Sequence, residues 1–326
     1  EKMLVNFAQA NYLSKARQQP EKVKEVLNKI KTDGIRPTLN AVFSKLDSPM
    51  ALGYCNAGIV IGVGHGVTNF KIGDRVVSNG QHAEVVNVKE NLVAKIPNEV
   101  TFDDAVFTVV GSIGLQGIRL INPTLGETIV VVGLGLIGLL TVQLLSANGC
   151  NVIGIDIDEE KLKLARSFGI KCINPSIENS VKVVNSLTEG HGSDGVIITA
   201  SSPSNDILSN AAHMTRRKGR IVLVGVIGLN LNRADFYEKE ISFQVSCSYG
   251  PGRYDSNYEE KGLDYPIGFV RWTENRNFKA ILNILKNEKL IIKPLISSII
   301  KLDEAPDFYD NIGTTKSIAT IIKYSK

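Results

Sequence analysis

Apolar positions along the chain follow two rhythms. From Thr128 onward, short runs rich in Val and Ile alternate with longer segments of helical spacing. The runs Thr128–Val132, Asn151–Ile155, Lys171–Ile173, Gly195–Thr199 and Ile221–Val226 read as buried parallel strands. Between them the spacing predicts helices over Glu159–Phe168, Val181–Thr188 and Asp206–Thr215, and Ile241–Cys247 reads as one more strand. Alternation of this kind builds a doubly wound α/β fold with right-handed crossovers. The first third differs. Val23, Val26, Leu27 and Ile30 recur at helical spacing, Gly34 and Pro37 interrupt them, and a second helix is expected over Leu39–Leu46. Short runs then follow at Ala57–Val63, Arg75–Val77, Ala83–Val88 and Leu92–Lys95, the signature of an antiparallel β unit, before a helix over Thr101–Leu120. The tail carries a polar, aromatic loop, a helix near Phe278–Lys286 and a last strand, Ser317–Tyr324.

Composition narrows the class. The chain has 326 residues, 43% apolar and 21% charged, an ordinary globular balance with length for two domains. No apolar run reaches membrane-spanning length, and no signal peptide is visible, so a cytoplasmic protein with no membrane partner is expected. The first residue is Glu1 rather than Met, and N-terminal strands are expected to be missing. The net charge of +4 is modest. The densest basic run, Arg216–Lys218, reads as the cationic end of a helix, and no nucleic-acid partner is expected. Four cysteines, Cys55, Cys150, Cys172 and Cys247, show no C-x-x-C pair and read as reduced thiols.

The most informative stretch is Glu127–Glu160. Gly133, Gly135 and Gly138 follow a strand and open a helix in the spacing G-x-G-x-x-G. The first glycine permits a tight turn, the second lets a pyrophosphate approach the backbone, and the third lets helix and strand pack closely. Amides at the helix start then face the phosphates, aided by the helix dipole. The second strand ends in Asp156, eighteen residues after Gly138. A carboxylate there accepts both ribose hydroxyls and repels a 2′-phosphate, so the expected cofactor is NAD(H) rather than NADP(H). Leu136 and Ile137 at the helix start, with Ala200 and Val226 at later strand ends, complete the expected cofactor surface.

The segment Gly58–Val76, G-x5-G-x-G-V-x-x-F-K-x-G-D-R-V, resembles the core of the medium-chain dehydrogenase/reductase superfamily, zinc-type alcohol dehydrogenases included. More narrowly, KARQQP at Lys15–Pro20 and the stretch Ser248–Asn277, SYGPGRYD followed by YEEKG, DYP and VRWTE, are similar to the dehydrogenase half of bacterial bi-domain oxidoreductases. In those proteins this unit is fused to a glucose–fructose-oxidoreductase-like half, so the chain reads as a fragment or stand-alone version. The resemblance implies a Rossmann sheet plus a GroES-like antiparallel catalytic domain. The implied division is 1–120 catalytic, 121–249 NAD-binding and 250–326 returning to the catalytic domain. It also implies an NAD-dependent dehydrogenase or reductase that forms a homo-oligomer, with a dimer expected.

One departure from that family bears on the chemistry. Zinc alcohol dehydrogenases carry Gly-His-Glu with His as a metal ligand, where this sequence has Gly53-Tyr54-Cys55. The family's later ligand cysteine falls near Val110, and no cysteine lies between Cys55 and Cys150 to build the structural zinc lobe. Catalytic zinc needs three protein ligands and an open position, so no metal is expected. A side chain must then move the proton. Tyr54 stands where the ligand would be, as an acid or as a packed filler. His82 carries an imidazole suited to proton transfer and is either a cleft residue or a loop histidine. Arg253 could polarise a carbonyl. Tyr249, Tyr254, Asp255, Arg271 and Trp272 mix aromatic faces with hydrogen-bonding groups, which suits a sugar, unless the loop is an ordered surface element or a dimer contact. Lys15, Arg17, Gln18 and Gln19 could clamp an anion or start a helix. The expected function is zinc-independent hydride transfer to or from a polyhydroxylated small molecule, a sugar or sugar derivative. A non-catalytic dinucleotide-binding sensor and a zinc-free enone or quinone reductase are the alternatives.

Overall fold

A computed structural model describes residues 5, 10–18, 20–35, 38–39, 42, 51–312 and 316–324. Gln19 and most of the helix expected over 39–46 lie outside the described residues. Chain order begins with helices α1 (Tyr12–Gln18) and α2 (Pro20–Asp33). Strands β1 (Asn56–Ile59), β2 (Arg75–Ser78) and β3 (Val93–Lys95) then form an antiparallel sheet in that order. The helix expected over 101–120 is two, α3 (Phe102–Ala105) and α4 (Thr108–Ile121). Thr101 caps α3 by accepting the Asp104 amide at 3.1 Å.

The α/β region follows: β4 (Thr128–Val132), α5 (Leu136–Ala147), β5 (Asn151–Ile155), α6 (Glu159–Ser167), β6 (Lys171–Ile173), α7 (Ser180–Leu187) and β7 (Ser193–Ile198). Then come β8 (Ser201–Ser202), α8 (Asp206–Met214), β9 (Thr215–Leu223), β10 (Val226–Ile227), α9 (Arg233–Tyr237) and β11 (Ser242–Val245). Six of these strands form one parallel sheet in the order β11-β9-β7-β4-β5-β6. The order reverses between β4 and β7, so a crevice opens beyond their carboxyl ends. Successive residues of β4 serve opposite faces: Ile129 and Val131 pack in one apolar cluster and Val130 in the other. Burial on both faces explains why these strands read as continuous apolar runs rather than alternating ones. The first cluster continues through Val109, Val110, Tyr249 and Phe278 to Val77 and Ala94 of the antiparallel sheet, so one packed core joins the cofactor sheet to the β unit.

The tail holds α10 (Ser256–Glu259), α11 (Glu274–Lys286), β12 (Ile296–Lys301), α12 (Ala305–Asn311) and β13 (Ala319–Lys323), with β12 and β13 pairing in parallel. The four cysteines are free. Among the described residues no helix is long and apolar enough to cross a membrane.

Three further expectations change. The strand expected over 57–63 stops at Ile59. Ala83–Val88 alternates like a strand yet joins no ladder among the described residues; Val86 instead packs against Gly80. Arg216–Lys218 do not end a helix but lie near the start of β9, where Arg216 pairs with Asp194 of β7 at 2.6 Å and Lys218 with Glu240 at 3.3 Å.

The contact between turn and helix that the fold depends on is tight. A Cβ on Gly138 would lie 2.0 Å from the Gly133 carbonyl oxygen. Gly138→Ala is therefore expected to destabilise the chain by about 1–3 kcal/mol through overpacking, measured by urea unfolding; an unchanged midpoint would contradict this packing.

Candidate active site

The crevice at the end of β4 is built by three glycines with three different roles. Gly133 has φ +95°, and a Cβ there would meet the Ala200 backbone at 2.6 Å. Gly138 admits the helix. Gly135 has an ordinary backbone (φ −66°, ψ −173°), caps the N-terminus of α5, and has nothing within 4 Å of where its Cβ would be. That open space lies before the amides of the first turn, which carry no intrahelical bond. The site thus fits a pyrophosphate, with Leu136, Ile137 and Gly138 forming the helix start.

Asp156 follows β5. Its Oδ2 accepts the Leu134 amide at 2.6 Å and its Oδ1 accepts the Asp158 amide at 2.9 Å, with Lys161 Nζ at 4.0 Å. An ionised carboxylate has about four lone-pair sites, so capacity for two ribose hydroxyls remains. Across the crevice, the Val226 amide donates to the Ala200 carbonyl at 3.0 Å, which brings the ends of β7 and β9 together. The Val226 residue is 55% exposed at that rim.

A cavity of about 1560 Å³ runs from Leu136, Asp158 and Lys161 to Tyr54, Cys55 and His82. His82 is positioned by three contacts. Its amide donates to Leu52 O at 2.7 Å, its Nδ1 shares a hydrogen bond with the Tyr309 hydroxyl at 2.6 Å, and its ring covers Gly53. Gly53 has φ +82°, and a Cβ there would strike the imidazole at 2.0 Å. Val110 lines the same cavity with an aliphatic side chain that has no lone pair for a metal. Among the described residues no group of three or more His, Cys, Asp or Glu side chains could hold a metal ion. Tyr54, Cys55 and Val110 therefore do not fit a catalytic zinc.

Two family models match the chain: the alcohol dehydrogenase GroES-like domain over residues 22–98 and the zinc-binding dehydrogenase domain over residues 137–261. The D-guloside 3-dehydrogenase of Escherichia coli (strain K12) is 30% identical over 269 residues, covering 79% of this chain and 72% of that protein. The chain belongs to the zinc-type medium-chain alcohol dehydrogenase superfamily. A probable D-xylulose reductase A of Emericella nidulans is 24% identical over 313 residues, covering 84% of this chain and 80% of its own length. The fold agrees with the alcohol dehydrogenase TADH from Thermus sp. ATN1, at a TM-score of 0.70 and 22% identity over 84% of each chain. As a member of this superfamily the chain is an oxidoreductase of the alcohol dehydrogenase type, and the superfamily is one of NAD(P)-binding dehydrogenases.

The remaining sequence candidates lie elsewhere in this dehydrogenase. None of Tyr249, Arg253, Tyr254, Asp255, Arg271 and Trp272 lines the cavity. Tyr249 is buried, its hydroxyl takes a hydrogen bond from Asn79, and its ring packs 5.5 Å from Phe278. Burial pushes its phenol well above the usual range. Arg253 pairs with Glu259 at 2.5 Å and stacks 4.2 Å from the Tyr254 ring, which is itself 75% exposed. Asp255 caps α10 through the Asn257 amide at 2.9 Å and accepts the Tyr265 hydroxyl, which holds its carboxyl below the usual range. Lys15 and Arg17 lie in α1, apart from the cavity lining.

Sequence reasoning missed two residues. Tyr309 is 227 positions from its partner His82, beyond any local pattern. Glu274 opens α11 and is fully buried, with neither carboxylate oxygen hydrogen-bonded. Burial, with Glu259 nearby and only Arg253 opposing, pushes its carboxyl up to about 8.

Two outcomes follow from this geometry. Gly135→Val should leave the melting temperature within a few degrees while weakening dinucleotide binding by about tenfold or more, read by isothermal calorimetry; retained affinity would remove Gly135 from the pyrophosphate path. Glu274 stays protonated in the folded chain up to about pH 8, whereas its ordinary value of 4.5 leaves the unfolded chain ionised far earlier. The folded state thus holds one proton more between those values, and its stability falls as pH rises through that window. Glu274→Gln should remove that decline, so the variant gains on the wild type from pH 5 to pH 8 in paired denaturant titrations; parallel pH curves would refute it.

Proposed function

We propose that this chain is an NAD(H)-dependent dehydrogenase that moves a hydride to or from a polyhydroxylated substrate, a sugar or sugar derivative, without a catalytic zinc. The observation that carries the cofactor choice is Asp156, a carboxylate at the end of β5 tied to the glycine turn at 2.6 Å. It accepts ribose hydroxyls and repels a 2′-phosphate. The substrate class is supported by the similarity to D-guloside 3-dehydrogenase and to D-xylulose reductase.

When bound, NAD(H) supplies or takes up the hydride. The residues that would hold it are the first-turn amides of α5 for the pyrophosphate, Asp156 for the ribose, and Ala200 and Val226 at the crevice rim. The substrate side is the cavity at Tyr54 and His82. His82 is the proton carrier in this reading. Tyr309 fixes the ring through Nδ1, and an imidazole can both donate and accept a proton, so it can give a proton to a carbonyl oxygen or take one from a hydroxyl. Tyr54 is the second proton donor of the cavity. Arg253 is a weaker candidate than either, since it is engaged by Glu259 and stands off the cavity. The domain division at 120 and 249 fits this reading, with the chain segments on either side of the crevice carrying proton and cofactor chemistry.

The test is steady-state kinetics with a panel of sugars and polyols, with NADH and NADPH compared under a metal chelator. Activity should persist with chelator and prefer NADH. Asp156→Ala should erode that preference by about tenfold or more, and His82→Phe should lower kcat by about a hundredfold while leaving NADH affinity intact. Chelator-sensitive activity restored by zinc would overturn the metal-free chemistry. NADH binding without hydride transfer to any substrate would favour a sensor, and a preference for NADPH with enones or quinones would favour the reductase alternative.

A further inference from the structure

Beside His82 the cavity wall carries a polar pair that the proton and hydride steps do not use. Asn56 on β1 and Ser78 on β2 stand directly opposite each other in the sheet, and both line the cavity. Their setting is apolar. Val76 and Val93 line the cavity on the same stretch of sheet, and Val77, between Val76 and Ser78, is buried in the core. Ser78 itself is only 4% exposed. A hydroxyl in such surroundings costs stability unless its bonding capacity is met.

The orientation of the pair follows from one fixed group. Asn56 Nδ2 donates to the Gln81 carbonyl at 3.2 Å. A carbonyl only accepts, so the amide nitrogen must face it, which leaves the amide oxygen for Ser78. That oxygen also only accepts, so the Ser78 hydroxyl donates its proton to it. The Ser78 oxygen keeps its lone pairs, with no donor to them among the described residues, and Asn56 keeps one amide hydrogen. Gln81 immediately precedes His82, so this acceptor stands next to the imidazole in the wall. Gly80 makes room for the arrangement. A Cβ there would lie 2.3 Å from Asn56 Nδ2, although Gly80 lacks the positive φ of the turn glycines.

We propose that Ser78, oriented by Asn56, is a specificity-determining subsite that accepts a hydrogen bond from a substrate hydroxyl adjacent to the reacting carbon. This rests on the reading of the cavity as the substrate side of a dehydrogenase. The Ser78 lone pairs select a donor, and the remaining Asn56 hydrogen can return a bond to the same oxygen. A hydroxyl does both. A methylene group does neither and leaves the serine oxygen buried and unpaired. The class selected is the vicinal diol or α-hydroxy ketone of a polyol or sugar, over an isolated alcohol.

Chain-matched ligands test this. Xylitol and 1,5-pentanediol, and likewise sorbitol and 1,6-hexanediol, differ only in their inner hydroxyls. Calorimetric titration into the protein, with and without NADH, should show the polyol of a pair binding more tightly than the diol. Ser78→Ala should weaken the polyol by about five- to tenfold, the worth of one neutral hydrogen bond, and leave the diol unchanged. Gly80→Ala displaces the Asn56 amide from outside the cavity lining and should reduce the same preference. A purely structural pair would instead weaken both ligands alike, leaving their ratio as in the wild type. No binding of either polyol, equal binding of polyol and diol, or an unchanged ratio in both variants would each overturn the subsite. A polyol preference that Ser78→Ala abolishes, with no reduction of NAD by any polyol, would keep the subsite and overturn the dehydrogenase. Oxidation of polyol and diol at equal kcat/KM would do the reverse.

Discussion

The carboxylate of Asp156 takes the amide of Leu134, and the geometry of the cofactor crevice depends on that contact. It lies just beyond a ladder in which Val132 faces Ile155 and the Gly133 amide donates to the Ile155 carbonyl at 2.8 Å. The register of β4 against β5 therefore sets where the glycine turn and the acid meet. A slip of one residue would turn Asp156 to the other face of the sheet. It would also carry Gly133 off the Ala200 backbone, where only a residue without Cβ fits. Burial of the sheet on both faces excludes such a slip, because Val130 and Val131 are fully enclosed on opposite sides. Core packing and cofactor chemistry are in this sense one constraint.

What was legible in the sequence was local. The glycine spacing, the Val- and Ile-rich strands and the acid after β5 all lie within one βαβ unit, so neighbouring residues carry the signal. Strands whose identity rests on pairing were less legible. Ala83–Val88 has the right alternation but no ladder among the described residues. Residues 296–301, with two serines among the isoleucines, pair with β13 and gave no clear period of their own. The loop after β11 shows the limit most plainly. A run of arginines, acids and tyrosines suits sugar binding, but composition does not reveal whether those groups already hold one another. Here most do: Arg253 meets Glu259, Arg276 meets Asp264, and Tyr265 meets Asp255.

The metal half of the site follows a different logic from the cofactor half. The cofactor half keeps backbone groups, which do not depend on side-chain identity once the glycines are in place. A catalytic zinc depends on side-chain ligands, and Tyr54 and Val110 do not fit that role. A Lewis acid draws electron density from a carbonyl without moving a proton, whereas an imidazole must deliver one. The hydrogen bond that His82 Nδ1 shares with the Tyr309 hydroxyl, together with the close cover over Gly53, leaves the imidazole ring little freedom. Because its partner stands 227 positions away, this contact ties α12 to the wall of the cavity.

The loop between β11 and α11 is better understood as a brace than as a lid. Tyr258 is fully buried, and Gly250 and Gly252 have φ of +121° and +110°. A Cβ on Gly252 would lie 2.6 Å from the Tyr258 ring, and one on Gly250 would lie 2.7 Å from the Asn277 amide. A segment that must open repeatedly has few buried contacts, and this one has many. Its glycines also let the backbone cover Glu274, whose carboxyl is shielded from water and kept neutral through most of the physiological range. With the brace fixed against α4 and α11, the groups left open to a small molecule are those of the cavity wall. That wall combines the polar side chains of Tyr54 and His82 with apolar side chains from Val110 and Phe107, the mixture of apolar surface and a few polar groups that small-molecule sites share.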